Sequence, residues 1–294
     1  MSANAWRHVP CNLCGADSYK KIFVDTLSRQ GQIERFDIVQ CRRCGLMYNN
    51  PIDTRGIGYS FDDVPREQAQ WELAMKRGIY EYALQRLHAA QGNASGKYLL
   101  DIGCGCGAFL DLARQHGYAV NGIEMSASQV SHARGHLHLD VTHADTVAVL
   151  LPGKEGYFDA VTMWDVLEHM VNAKEAVAAV YRLLKPGGIL MIKIPNSCFQ
   201  LLKAHVCRLV FPSMGKVLGA GDHVIHFTRS TISRLLRDCG FRILMFENSQ
   251  LERSRHSPLS IFRDGYYALS RVLERITGLH IGNYYFIAAQ KETA

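Results

Sequence analysis

Between Tyr98 and Leu110 the chain reads YLLDIGCGCGAFL, an apolar run that closes on Asp101 and breaks at once into three alternate glycines, Gly103, Gly105 and Gly107. Alternate glycines permit a tight turn and bring main-chain N–H groups within reach of a ligand at the start of the next helix. In an open α/β sheet, ligands bind at the carboxyl ends of the strands, which is where such a loop falls. The spacing Gly103-x-Gly105-x-x-Ala108 also satisfies the dinucleotide fingerprint, so the loop alone leaves an oxidoreductase cofactor open.

The rest of the chain sets the fold class. From Lys97 onward, strand-like runs at Tyr98–Ile102, Ala119–Ile123, Phe158–Trp164 and Gly188–Ile194 alternate with helical patterns at Ala108–His116, Ala127–Gly135 and Val171–Leu184. That alternation predicts βαβ units and a parallel sheet covered on both faces. A helix near Ser230–Cys239 and strands near Phe241–Glu247 and Asn283–Gln290 follow. Residues 66–91 carry Trp71, Met75, Ile79, Tyr82 and Leu87 at helical spacing, which predicts a helix leading into the sheet. Glu124 closes the second strand, where a carboxylate can accept from both hydroxyls of a ribose. Asp145 follows the third strand, placed to accept from an adenine amino group.

Taken in order, DIGCGCGAFL, Glu124, FDAVTMWDVLEHM (158–170) and LLKPGGILMIKIPN (183–196) resemble the motifs of class I S-adenosylmethionine-dependent methyltransferases. The resemblance implies an α/β, Rossmann-like sheet of seven strands with the last antiparallel. It also implies that Asp101, Gly103, Gly105 and Gly107 hold the methionine portion of S-adenosylmethionine. Glu124 would bind ribose, Met125 and Asp145 would flank adenine, and Trp164 would lie near the cofactor.

Cys11-x-x-Cys14-Gly15 and Cys41-x-x-Cys44-Gly45 repeat one spacing. Each pair offers two thiolates from one turn, and four thiolates make a closed tetrahedral Zn²⁺ site with a structural role. Such a site supplies folding energy to a module too small for a core of its own. The run CRRCGLMYNNP (41–51) resembles the N-terminal zinc module of sugar C-methyltransferases and of enzymes of natural-product pathways. The expected organisation is a zinc ribbon over 1–55, a helical connector over 56–96 and a methyltransferase domain over 97–294.

Methyl transfer to an OH, NH or carbon acid needs a base aligned with the donor, and histidine suits neutral pH. His169, in Leu167-Glu168-His169, follows the fourth strand. His223 and His226 lie after the fifth, and the resemblance to the sugar enzymes favours His223, preceded by Asp222, as the base, with His169 second. Asp165 and Glu168 read as ordinary helix N-terminal carboxylates.

Net charge is +6 with no dense Lys/Arg block, so charge does not signal nucleic acid, and the resemblance implies a small-molecule acceptor: a sugar nucleotide, a polysaccharide precursor or a natural-product intermediate. RNA read through Arg42 and Arg43 is the alternative, and a non-catalytic cofactor-binding module stands apart from both. No apolar run reaches the length of a membrane span, and no secretory signal is present, so a cytoplasmic protein is expected. The apolar stretch 199–218 reads as a packed lid, with a lipid contact as the other reading. Leu259–Leu279 could line the pocket or form the face of a homodimer.

Overall fold

A computed structural model describes residues 6–29, 32–53, 64–210, 220–249 and 260–292. The N-terminal part contains β1 (Trp6–Arg7), β2 (Tyr19–Arg29), β3 (Gln32–Cys41), β4 (Met47–Asn49) and β5 (Ile52–Asp53), followed by the long helix α1 (Gln68–Gln91). The alternation then runs β6 (Tyr98–Ile102), α2 (Ala108–Gln115), β7 (Ala119–Glu124), α3 (Ala127–Leu137) and β8 (Val141–His143). A short turn α4 (Leu151–Lys154), β9 (Phe158–Trp164), α5 (Ala173–Leu183), β10 (Leu184–Pro195) and α6 (Ser197–Val210) come next. Last are β11 (Ile225–His226), α7 (Arg229–Asp238), β12 (Phe241–Asn248), α8 (Ser260–Thr277) and β13 (Tyr284–Lys291).

The main sheet has seven strands in the order β12-β13-β10-β9-β6-β7-β8. The pairs β6–β7, β6–β9, β7–β8 and β9–β10 are parallel, and β13 runs antiparallel between β10 and β12. This is the expected seven-stranded arrangement with its last strand reversed. The period of two along each strand divides the core into two layers. Leu99, Ala160, Ile189 and Met191 face α1 and α2, with Phe109 and Ala113 packed on them. Leu100, Val161, Met163, Leu190 and Ile192 face the opposite way, toward Val177 and Val180 of α5 and Ile232 of α7.

That second layer continues into the N-terminal part. Cys11, Leu13, Val39, Leu46 and Tyr48 belong to the same packed cluster. Asn12 Oδ1 accepts from the main-chain N–H of Lys174 at 3.1 Å, at the start of α5. The smaller sheet has the order β11-β4-β3-β2, so its edge is a two-residue strand from the far side of β10.

The helix expected over 66–91 forms, but its buried stripe is Ile79, Tyr80, Ala83, Leu84 and Leu87, and Trp71 is 47% exposed. The first turns of α1 face a cavity rather than the core, so their apolar spacing buries little. Of the stretch 199–218, α6 accounts for residues up to Val210, and 211–218 lie outside the described residues. Leu259 also lies outside them, and α8 accounts for most of the rest of 259–279. Among the described residues no helix is long and apolar enough to cross a membrane.

Gly107 belongs to packing rather than to the cavity wall. It caps α2 with φ +86°, and a Cβ there would collide with Leu139 Cδ1. Gly107→Ala is expected to lower stability by about 1–3 kcal/mol through the left-handed backbone and overpacking. Urea denaturation measures this, and an unchanged midpoint would contradict it.

Candidate functional site

The carboxyl ends of β6, β7 and β9 open onto a cavity of about 330 Å³. Gly103 and Gly105 form its floor with φ of +69° and +56°, and a Cβ on Gly103 would collide with Val166. The Gly105 N–H donates to Glu124 Oε2 at 2.9 Å, and the Ser126 N–H donates to Oε1 at 2.8 Å. Each carboxylate oxygen is thereby fixed by one bond and keeps acceptor capacity for a ligand. Met125, Asp145 and Trp164 also line the cavity. The Trp164 indole is wedged among Tyr80, Phe109 and Phe286 at centroid distances of 5.6, 5.0 and 6.0 Å.

Asp101 is placed differently. It is buried beneath the floor, where Thr162 Oγ1 donates to its Oδ1 at 2.6 Å, and burial pushes its carboxyl well above the usual range. It supports the loop from below and is not on the cavity wall.

Three charged residues that line the cavity, Glu72, Lys76 and Asp165, and the buried Lys193 have no cavity role in the sequence reading, which treats Asp165 as a helix N-terminal carboxylate. Glu72 and Lys76 of α1 line it, one turn apart, with Lys76 Nζ 3.5 Å from Glu72. Asp165 lines it with φ +56°, a left-handed conformation that costs a non-glycine residue free energy and gathers at functional positions. Lys193 Nζ donates to both Asp165 oxygens, at 2.6 and 2.7 Å, and Lys76 stands 3.6 Å away. Burial alone would raise the Asp165 carboxyl, but the Lys193 and Lys76 ammoniums outweigh it and hold it below its ordinary value. The available signal was Lys193 itself, a lysine inside the apolar run ILMIKIP and 1% exposed, since a buried cation requires a partner.

His169 lines the cavity, and its Nδ1 bonds the Asp222 carbonyl oxygen at 2.7 Å. A carbonyl only accepts, so Nδ1 carries the proton and Nε2 the lone pair. Burial lowers the His169 pKa, with the Asp222 carbonyl opposing it. The His223 ring stands 4.8 Å from that of His169 and is not part of the cavity wall. Side-chain nitrogen and oxygen atoms of Glu168, His169 and His223 lie within 4.8 Å of one another. Glu168 is 1% exposed with neither carboxyl oxygen hydrogen-bonded, and burial lifts it to about 8. Neither Asp165 nor Glu168 caps a helix: residues 167–169 form a single tight turn. His226 is buried against Asn49 and lowered by burial to about 3, which makes it a neutral structural group.

The four cysteines of the paired motifs converge. Cys11 Sγ lies 3.4 Å from Cys44 Sγ, and Cys14 Sγ 3.6 Å from Cys41 Sγ, with all four sulfurs within 4.8 Å of one another. Both knuckles close alike, the Gly15 and Gly45 amides bonding the Cys11 and Cys41 carbonyls at 2.8 and 3.0 Å. These separations far exceed a disulfide and approach the roughly 3.8 Å between sulfurs set tetrahedrally about 2.3 Å from a zinc ion. Burial pushes the Cys11 thiol up to about 11. At Cys41 burial acts the same way, but the amides of Cys44 and Arg43 overcome it and bring the thiol down to about 7.

Residues 75–245, more than half of the chain, match a family model described as a methyltransferase domain. The ubiquinone biosynthesis O-methyltransferase of Azoarcus sp. (strain BH72) is 28% identical over 211 residues, covering 68% of this chain and 85% of that protein. Among solved structures, an S-adenosylmethionine-dependent methyltransferase from Mesorhizobium loti aligns with TM-score 0.51 at 19% identity, over 73% of this chain and 99% of that one. A magnesium protoporphyrin IX methyltransferase from Synechocystis PCC 6803, with bound SAH, aligns with TM-score 0.50 at 17% identity, over 80% and 91%. At these identities the two structures share the fold.

The buried carboxyl of Glu168 gives a pH test. The folded chain keeps its proton up to about pH 8, whereas a carboxyl at its ordinary value of 4.5 has released it. Between those values the native state holds the extra proton, so its stability falls as pH rises. Glu168→Gln should match the wild type near pH 4.5 and gain on it steadily toward pH 8, read from urea midpoints. A difference that stays constant across that window would contradict the assignment.

Proposed function

The chain belongs to the class I S-adenosylmethionine-dependent methyltransferases, and from that premise we propose that it methylates an ionisable hydroxyl of a small-molecule acceptor, with His169 as general base. The observation that carries this reading is His169 on the cavity wall, with its Nδ1 proton committed to the Asp222 carbonyl. The names of curated relatives as O-methyltransferases support oxygen as the nucleophile.

S-adenosylmethionine supplies an electrophilic methyl on a sulfonium, so the protein's task is alignment and proton removal. Glu124 would receive the ribose hydroxyls through its remaining lone pairs, and Asp145 the adenine amino group. The open backbone at Gly103 and Gly105 lets the ligand approach closely. Lys76 and Glu72 offer opposite charges to the amino-acid end, a zwitterion. His169 Nε2 would take the acceptor proton, and the Asp222 carbonyl would keep the ring turned and steady the imidazolium that forms. A histidine whose pKa is lowered by burial is neutral at pH 7 and ready to accept. His223, ring against ring, would confine the imidazole from behind.

His169→Gln should cut kcat by about a hundredfold or more while the Kd for S-adenosylmethionine stays unchanged. Incubation with hydroxylated acceptors, followed by product mass, reads both the transfer and its site. Full turnover by the variant would overturn the base, and methylation confined to amines or carbon would overturn the oxygen acceptor.

The same proposal extends to the ribbon. Cys11, Cys14, Cys41 and Cys44 would hold a structural zinc ion, whose charge would offset the cost of ionising four packed thiols. Metal analysis of reduced protein should find one zinc per chain, and Cys14→Ser or a strong chelator should lower Tm. Metal-free protein with an unaltered Tm would remove zinc from the account.

A further inference from the structure

Asn49, the last residue of β4, is 4% exposed and spends its side chain on one segment of the chain. Its Nδ2 donates to the Ala220 carbonyl at 2.6 Å and to the His223 carbonyl at 2.9 Å. Its Oδ1 accepts from His226 Nε2 at 3.0 Å, and its main-chain N–H donates to the Val224 carbonyl at 2.9 Å. The pairing of β11 with β4, Ile225 against Tyr48 and His226 against Met47, extends the grip by two residue pairs. One asparagine therefore bonds residues 220, 223, 224 and 226.

The segment so held touches the Leu167–His169 turn at two main-chain points. The Asp222 carbonyl receives the His169 Nδ1 bond, and the Val224 N–H donates to the Glu168 carbonyl at 2.9 Å. Both lie within the stretch that Asn49 brackets. Among the described residues Asn49 belongs to the small sheet, about 170 residues away in sequence. Its backbone is fixed by β3, through Ile38 against Asn49, and β3 ends in Cys41.

We infer that Asn49 is a positioning residue for methyl transfer: it fixes the 220–226 segment so that the Asp222 carbonyl holds His169 in its Nδ1-protonated form. This rests on the reading of His169 as the base. A base that rotates or changes tautomer presents an N–H instead of a lone pair to the acceptor hydroxyl, and a displacement of about 1 Å costs up to a hundredfold in rate. Asn49 does not line the cavity, so its loss should appear in kcat and not in cofactor affinity.

The discriminating variant is Asn49→Asp. It keeps the volume and the Oδ1 acceptor for His226 but replaces two N–H donors by an oxygen facing two carbonyls. The expected result is a fall in kcat of about ten- to a hundredfold with KM and cofactor Kd little changed. Nitrogen-15 NMR of the imidazoles should show His169 in the Nδ1-protonated form in the wild type and a mixture of tautomers in the variant. Retention of wild-type kcat and of the single tautomer in Asn49→Asp would overturn the inference. Should that variant fail to fold, the wild-type spectrum decides alone, because an Nε2-protonated His169 is incompatible with the inference. His169→Gln separates the two readings. If it is inactive while Asn49→Asp is fully active, the positioning role falls and the base stands. If it is fully active, the base falls, whatever the tautomer in Asn49→Asp.

Discussion

The parallel strands of the central sheet are buried on both faces, and that constraint decides where everything else can go. Side chains of β6, β9 and β10 alternate between two apolar layers, so no strand interior is available for a ligand. Only the strand ends are, and in open α/β sheets it is outside the carboxyl ends that ligands bind. Gly103, Glu124 and Trp164 each stand where a strand has just run out. The cavity follows from sheet topology and is furnished by what those ends carry.

Lys193 is the one cation among the buried polar residues of the described strands, which include Asp101 and Thr162. Its ammonium lies at 1% exposure in a strand that is otherwise buried, a position whose desolvation cost demands a carboxylate. Asp165 meets it with both oxygens, and does so from a left-handed backbone conformation. Two costs are therefore accepted at one point on the cavity rim. The result is a negative charge fixed in orientation beside Lys76 and Glu72 on the cavity wall.

Most of the sheet could be read from the sequence because its signals are local. A period of two, glycines after Asp101 and a Lys-Pro-Gly-Gly turn each report on a few consecutive residues. The cysteine cluster was legible for another reason: a duplicated spacing names its own partner. What escaped depended on contacts distant in sequence. Glu72 and Lys76 lie in a helix whose pattern predicts packing, and only the approach of α1 to the strand ends turns them into cavity residues. Asp101 and Gly107 were legible as part of the loop but not as its underside, since burial beneath a turn leaves no mark on spacing. The pairing of β11 with β4 was invisible in the same way, being a two-residue strand without a period of its own.

The two halves of the cavity are built on unlike supports. The half formed by Gly103, Gly105, Glu124 and Asp145 stands on strand ends and the turns that follow them, where neighbouring strands fix each position. The half that includes His169 depends on a segment inserted between β10 and β12. An inserted loop is free to vary, which suits a surface that must match an acceptor, but a loop without support would leave a catalytic imidazole unoriented. Adding that segment as an edge strand to the small sheet resolves the conflict, because β4 supplies main-chain pairing and Asn49 supplies donors for its carbonyls. The ribbon core, packed into the same apolar cluster as Leu100 and Val161, then ties the loop back to the sheet that carries the cofactor half. The N-terminal module thus contacts both the inserted segment and the central sheet, and β3, which ends in Cys41, is the strand that pairs with β4.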